Sequence, residues 1–376
     1  MAKLICCIAM LLYCGTSTVA QPWQWVKKEI NRVLSDTASL EKPRFIAYPT
    51  IAFTPETSWE FGISSLLLYH ANRDTSNRLS EVSAFTFITL ENQFGLWLDN
   101  ALYSDRDKWF LLGRLRWQQF PLYYYGTGPQ SSDENRVLIN GNSLAIRQRL
   151  LRQVKGKFYA GLETDFQRLG NVSAEPEPEM AGLPTPTGIA GSANLGFGLG
   201  LVYDTRHNIL NVRDGLFAEA GFLRYNEAWG SDYEFTNFFI ESRVYRPVGK
   251  QQVFAAHLYG SFARGEVPFN QLALMGGETL MRGYYTGRYR DRNYVATQVE
   301  YRWLPLPFSK RFGATVFGGM GTVAPEFNEL SPGNLVWAAG AGGRYLLFPK
   351  KDVFTRIDVG FTEEGSGFYF YIGEAF

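Results

Sequence analysis

Residues 368–376 read Phe-Tyr-Phe-Tyr-Ile-Gly-Glu-Ala-Phe, and this alternating, aromatic ending constrains the fold more than any other segment. Side chains of an extended strand point to opposite faces in turn, so Phe368, Phe370, Ile372 and Phe376 share one apolar face. At the edge of a soluble sheet such a strand would invite aggregation. In lipid every backbone amide and carbonyl must be paired internally, so only helices and closed barrels span it. About nine to eleven tilted residues suffice for a strand to cross. The segment therefore predicts the last strand of a transmembrane antiparallel β-barrel.

The rest of the chain agrees. After its first 20 residues it has no apolar run long enough for a membrane helix. Mean hydropathy is slightly negative, as expected when lipid-facing and lumen-facing residues alternate. An aromatic content of 16% and 38 glycines fit aromatic girdles and tight turns. About 16 strand-like segments follow one another over residues 44–376. Short connections, such as 104–107 and 153–156, alternate with long ones, 119–142, 170–190 and 265–291. An even strand count places both termini on the short-turn, periplasmic side.

Strand parity supports this. Over 292–303, Val295, Thr297, Val299, Tyr301 and Trp303 oppose Gln298, Glu300 and Arg302. Over 107–118, Trp109, Leu111, Leu115 and Trp117 oppose Arg114 and Arg116; over 143–153, Leu144, Ile146 and Leu150 oppose Arg147 and Arg149. Phe238, Ile240 and Val244 oppose Glu241 and Arg243, while Val353, Thr355, Ile357, Val359 and Phe361 oppose Arg356 and Asp358. Charges keep off one face because Lys or Arg in lipid costs roughly 2–4 kcal/mol at the midplane. The opposite face is read as a charged lumen.

Residues 1–20 read as a secretory signal peptide, with Lys3, an apolar stretch over 4–13 and Thr18-Val19-Ala20 as the cleavage site. Cys6, Cys7 and Cys14 all fall within it, so no disulfide or cysteine metal site is expected beyond it. Without Lys3, 36 basic residues balance 36 acidic ones, which argues against a nucleic-acid partner. Residues 21–43 carry Trp23, Trp25, Val26, Ile30, Val33 and Leu34 at helical spacing and predict a short periplasmic helical segment. The barrel is expected over 44–376. Catalysis is not expected. The histidines are His70, His207 and His257, with no recognisable triad and no nucleophile elbow. No metal or other cofactor is expected.

One motif narrows the reading. Met281-Arg282-Gly283-Tyr284 resembles the [V/I]-R-G-[F/Y] tetrad of the bacterial surface antigen superfamily, which includes BamA, TamA and the two-partner-secretion transporters. Tyr203-Asp204-Thr205-Arg206 followed by Arg213-Asp214-Gly215 resembles its turn between strands eight and nine. Phe53-Thr54-Pro55-Glu56-Thr57 resembles its first loop, and Gly340 to Gly343 with Arg344, and the stretch from Arg356 to Gly360, resemble its last strands. The resemblance spans about 44–376. It implies a long sixth outer loop folded into the lumen, with Arg282 locked onto the inner wall by Glu300, Phe317 and Asp358. Gly319 stands where the family's strand-thirteen motif carries an acid.

The resemblance also implies a weak seam between the first and last strands. Pro49, Gly373 and Phe376 are its candidate residues here, since proline removes a ladder donor. The expected location is the bacterial outer membrane, and the expected contacts are its lipid and lipopolysaccharide. The family's periplasmic POTRA modules are not expected in the short stretch before the barrel, so a periplasmic or assembly-machine partner would supply them. The implied function is insertion or translocation of protein or lipid through the seam. The alternative is a passive or gated channel, plugged by the loop and lined by Arg114, Arg116, Arg147, Arg149, Glu241, Arg243, Arg302 and Arg356.

Overall fold

The computed structural model describes residues 43–119, 121–206, 211–349 and 352–376. The expected signal peptide, the helical segment over 21–42 and His207 lie outside them. The barrel strands are β1 Arg44–Thr54, β2 Ser58–His70, β3 Leu79–Thr89, β4 Phe94–Tyr103, β5 Trp109–Gln119, β6 Val137–Lys155, β7 Phe158–Glu175 and β8 Ser192–Asp204. They continue with β9 Gly215–Tyr225, β10 Phe235–Gly249, β11 Gln252–Gly265, β12 Asn293–Trp303, β13 Phe312–Ala324, β14 Val336–Phe348, β15 Val353–Thr362 and β16 Gly365–Ile372. Each pairs antiparallel with its chain neighbours, and β1 meets β16 to close a barrel of 16 strands.

Side-chain parity follows the lipid constraint. Ile63, Leu162, Leu199, Val299 and Ile357 are exposed on the outside, where lipid would solvate them. Trp59, Trp117 and Trp337 stand outward toward the long-loop end, and Trp109, Tyr203 and Phe312 toward the short-turn end, as two aromatic girdles require. Asn100 and Gln148 are polar yet share the outward parity. They hydrogen-bond each other at 3.1 Å across Gly113 of the intervening strand, so the pair partly satisfies itself.

β6 and β7 are longer than the expected 143–153 and 157–169. Their pairing runs from Leu138↔Glu175 to Lys155↔Phe158, with irregularities at Asn140/Asn142 and Gln153/Lys155. Asn140, Gly141 and Asn142 read as loop chemistry, but a hairpin projecting beyond the membrane needs no apolar face. The sixth loop, residues 266–292, turns into the lumen and carries its own hairpin of Ala273–Met275 with Tyr289–Asp291.

The chain ending differs from the sequence expectation. Phe376 does not share the lipid face of Phe368. β16 stops at Ile372, Gly373 takes φ +101, and residues 374–376 turn into the lumen. Phe376 lies buried with Val212, Tyr245, Val253 and Ala255. Its ring is 4.7 Å from the Arg302 guanidinium and 5.0 Å from the His257 ring. A positive φ suits glycine, which has no Cβ to clash, and a ring face over a buried cation supplies the attraction.

The inward turn also explains the seam. β1 pairs with β2 at all eleven positions but with β16 only at Phe53↔Phe370. Continuing that register would set Ile51 against Ile372 and Pro49 against Glu374. The proline has no donor to offer, and Glu374 has left the ladder.

Leu199→Arg, on the outer face of β8, should destabilise the barrel in lipid vesicles by about 2–4 kcal/mol. Equilibrium urea unfolding would measure it, and an unchanged midpoint would contradict the outward assignment.

Candidate functional site

The inner wall from β12 to β16 alternates charged and small residues, and the tetrad of the sixth loop lands on it. Glu300 of β12, Phe317 of β13, Gly342 and Arg344 of β14, and Arg356, Asp358 and Gly360 of β15 face inward in register across the sheet. The glycines leave room. A Cβ on Gly360 would come within 2.3 Å of the Arg282 carbonyl, and one on Gly342 within 1.9 Å of Asp358. Gly283 holds φ +116, and its amide donates to the Tyr369 hydroxyl at 2.9 Å. Met281, at φ +60, holds a left-handed conformation unusual for a non-glycine residue. Such strain costs of order 1–3 kcal/mol. Burial of Met281 and Tyr284 with Met275, Leu280, Tyr294 and Val323 offsets it.

Arg282 is fully buried at the centre. Its Nη1 donates to Asp358 Oδ2 at 2.5 Å, its Nη2 donates to Glu300 Oε1, and its guanidinium lies 3.6 Å from the centre of the Phe317 ring. The three sequence-derived partners thus converge on one guanidinium. Both carboxylates are shared. Glu300 also accepts from Arg302 Nε at 2.7 Å; Asp358 accepts from Arg344 Nη1 at 2.5 Å and Arg356 Nη1 at 3.1 Å. Glu374 accepts from Arg344 Nε at 2.9 Å.

Four guanidiniums therefore meet three side-chain carboxylates, and main-chain oxygens take up part of the excess. Arg356 donates to the Glu278 carbonyl at 3.1 and 3.0 Å, and Arg302 to the main-chain oxygen of Phe376 at 3.1 Å. Arginine suits this role because its planar fork serves several acceptors at once. Gly319 lacks the family acid, and a Cβ there would sit 2.8 Å from the Thr297 carbonyl. Asp358, one ladder over from β14, carries the second carboxylate instead.

The loop also spans the seam. The Thr286 amide donates to Glu56 Oε1 at 2.6 Å, in the β1–β2 turn. Arg288 donates to both oxygens of Glu364, at 2.7 and 2.6 Å, in the β15–β16 turn, and the Tyr289 hydroxyl joins at 2.7 Å. Burial raises the Glu56 carboxyl above the usual range, and the Thr286 amide only partly opposes that. Burial likewise pushes the Tyr284 phenol up to about 12.

The remaining lumen charges form a separate group. Arg114, Arg116, Arg147, Arg149, Glu241 and Arg243 line the wall from β5 to β10, whereas Arg302 and Arg356 belong to the Arg282 network. Arg344, Glu374, Glu56 and Glu364 were not among the sequence candidates for partners. Arg344 has the inward parity of β14 and was findable. Glu374 was not, because only the turn at Gly373 brings it inside.

Residues 90–376 match the model of the Omp85 superfamily domain. No curated protein matches by sequence. Among solved structures, BamA from Haemophilus ducreyi lacking POTRA domains 1–3 aligns with a TM-score of 0.56 at 13% identity, over 88% of this chain and 70% of that one. CdiB from Escherichia coli aligns with a TM-score of 0.58 at 11% identity, over 92% and 69%. CdiB from Acinetobacter baumannii gives 0.56 at 11%, over 88% and 59%, so this chain spans well under two thirds of that relative. At these identities the likeness is one of fold.

Arg282→Ala should loosen the loop and lower stability by about 3 kcal/mol, the scale of breaking a buried ion pair. Limited proteolysis should show new cuts within 276–290. Arg282→Lys should give the same cuts more slowly, because one ammonium cannot serve Glu300 and Asp358 in the same geometry. An unchanged digestion pattern in both variants would sink the lock.

Proposed function

Because this chain belongs to the Omp85 superfamily, we propose that it aids insertion or translocation of protein or lipid at the bacterial outer membrane by parting its β1/β16 seam. The family and the BamA-like fold imply an outer-membrane location. The observation that carries the proposal is the single ladder pair at Phe53↔Phe370. Adjacent strands elsewhere in the barrel share eight or more such pairs, as in β15 with β16, so the seam is where separation breaks the fewest backbone hydrogen bonds. An unpaired edge in a membrane is costly and would be relieved by a client strand adding to it.

Loop six sets the resting state in this reading. Glu56 ties it to the β1 side, while Glu364 and Tyr369 tie it to the β16 side. The Arg282 network anchors it behind the seam. A periplasmic protein or assembly machine would present the client at the short-turn end, and lipid or lipopolysaccharide would meet the opened edge. The role needs no bond-breaking chemistry. His257 of the lumen forms a hydrogen bond with Glu241 Oε1 at 2.9 Å.

A channel is the second reading. A cavity of about 420 Å3 against the β3–β10 wall favours it, because loop six leaves that half of the lumen open.

A disulfide between Phe53→Cys and Phe370→Cys tests the two together. Under the seam reading, the oxidised barrel stays folded by heat-modifiable gel mobility but loses assisted folding of a client barrel in proteoliposomes, and reductant restores it. Undiminished activity when oxidised would overturn that reading. The channel reading predicts steady conductance that survives oxidation and rises on deletion of residues 265–291.

A further inference from the structure

The half of the lumen that loop six leaves open holds a charge arrangement that the barrel does not complete by itself. The large cavity shares Glu81, Ser83 and Asp99 with a smaller one of about 240 Å3 beside β1 and β2. Arg114 lines the large cavity from β5. Its in-register neighbours are Asp99 on β4 and Arg147 on β6. Both carboxylate oxygens of Asp99 accept from Arg116 Nη2, at 2.7 and 2.8 Å. Arg147 is a like charge, and like charges directly opposite each other destabilise a sheet.

Apart from Glu81, the other acids around the cavity are committed. Glu163 serves Arg147 and Arg149, Glu219 serves Arg149, Asp204 serves Arg78 and Arg206, and Glu241 serves Arg243. Arg147 Nη2 is buried without an acceptor. Among the described residues Arg114 has neither a hydrogen bond nor an ion pair. Arg114 thus stands exposed to the cavity without a direct partner, beside an Arg147 that is paired with Glu163 and turned onto the Phe239 ring.

We propose that Arg114, with the Arg147 charge behind it, forms the anion end of a solute-binding site in the lumen, and that its ligand carries a phosphate group. The planar guanidinium fork matches phosphate oxygens bidentately, and an anion there would relieve the like-charge opposition. Glu81 lines the same cavity without a direct ion pair among the described residues, with Arg206 as an attractive charge in the same lining. Two strand spacings and two residues of rise put its backbone roughly 12 Å from that of Arg114. Inward side chains shorten the gap, so a compact zwitterion such as phosphoethanolamine fits the charge pattern better than inorganic phosphate. The site lies apart from the Arg282 network and does not depend on a parting seam.

The test titrates the full chain in detergent micelles with O-phosphoethanolamine and with inorganic phosphate, followed by phosphorus NMR. Saturable binding of both is expected, tighter for phosphoethanolamine. Arg114→Gln should weaken both by about tenfold, the scale of a lost hydrogen bond to a charged group. Glu81→Gln should weaken phosphoethanolamine alone. Arg224→Gln, whose ion pair with Glu234 is exposed, should change neither, and heat-modifiable mobility should report every variant folded. Equal affinity for the two probes would keep the phosphate site and identify free phosphate as the better source. Absence of saturable binding, or binding unchanged in Arg114→Gln, would overturn the proposal.

Discussion

Backbone pairing in lipid is the constraint on which the rest of this structure depends. Without water, each unpaired amide or carbonyl costs several kcal/mol, so the sheet must close on itself. It does, but unevenly: the ladder is continuous around the wall and thins to one pair where β1 meets β16. The thinning has visible causes. Pro49 offers no donor, and Gly373 diverts the chain before the ladder can extend. Closure at the seam therefore relies on contacts other than strand pairing.

Loop six provides them from inside. Its tetrad places a guanidinium among carboxylates that belong to β12 and β15, and its flanks reach the two turns that border the seam. A buried charge left alone would be prohibitive, and a buried pair by itself adds little net stability. What such a network does provide is geometric choice: Arg282 finds two carboxylates and a ring face in one place only. The same network reaches Glu374 and the main-chain oxygen of Phe376, so the loop, the wall and the turned-in tail are held by one set of charges. Among the described residues the opposite wall has no such plug and lines a charged cavity around Arg114.

Much of this was legible from alternation. Inward parity of Arg114, Arg147, Glu300 and Asp358 could be assigned because a lipid face excludes charge. The resemblance of the tetrad implied a loop folded into the lumen, and Glu300, Phe317 and Asp358 do surround Arg282. The lengths of β6 and β7 were not legible, because beyond the membrane a paired hairpin tolerates the polar residues and glycine that also make loops. Phe376 was assigned to lipid by the same alternation that placed Phe368 correctly, and one left-handed glycine three residues earlier reverses it.

The sequence by itself determined the class of fold, the face on which each strand residue lies and the loop that carries the central arginine. The first two follow from period-two alternation against a solvent that rejects charge, a local rule that needs no knowledge of partners, and the loop follows from the resemblance of Met281–Tyr284 to the family tetrad. The tertiary structure decided which inward charges meet, how thin the seam is and where the chain ending goes. Those depend on register around a closed sheet and on the path of a loop through its centre. Neighbours there are far apart in sequence, as Arg282 is from Asp358 and Thr286 from Glu56, and no local pattern records which of several carboxylates a guanidinium will reach.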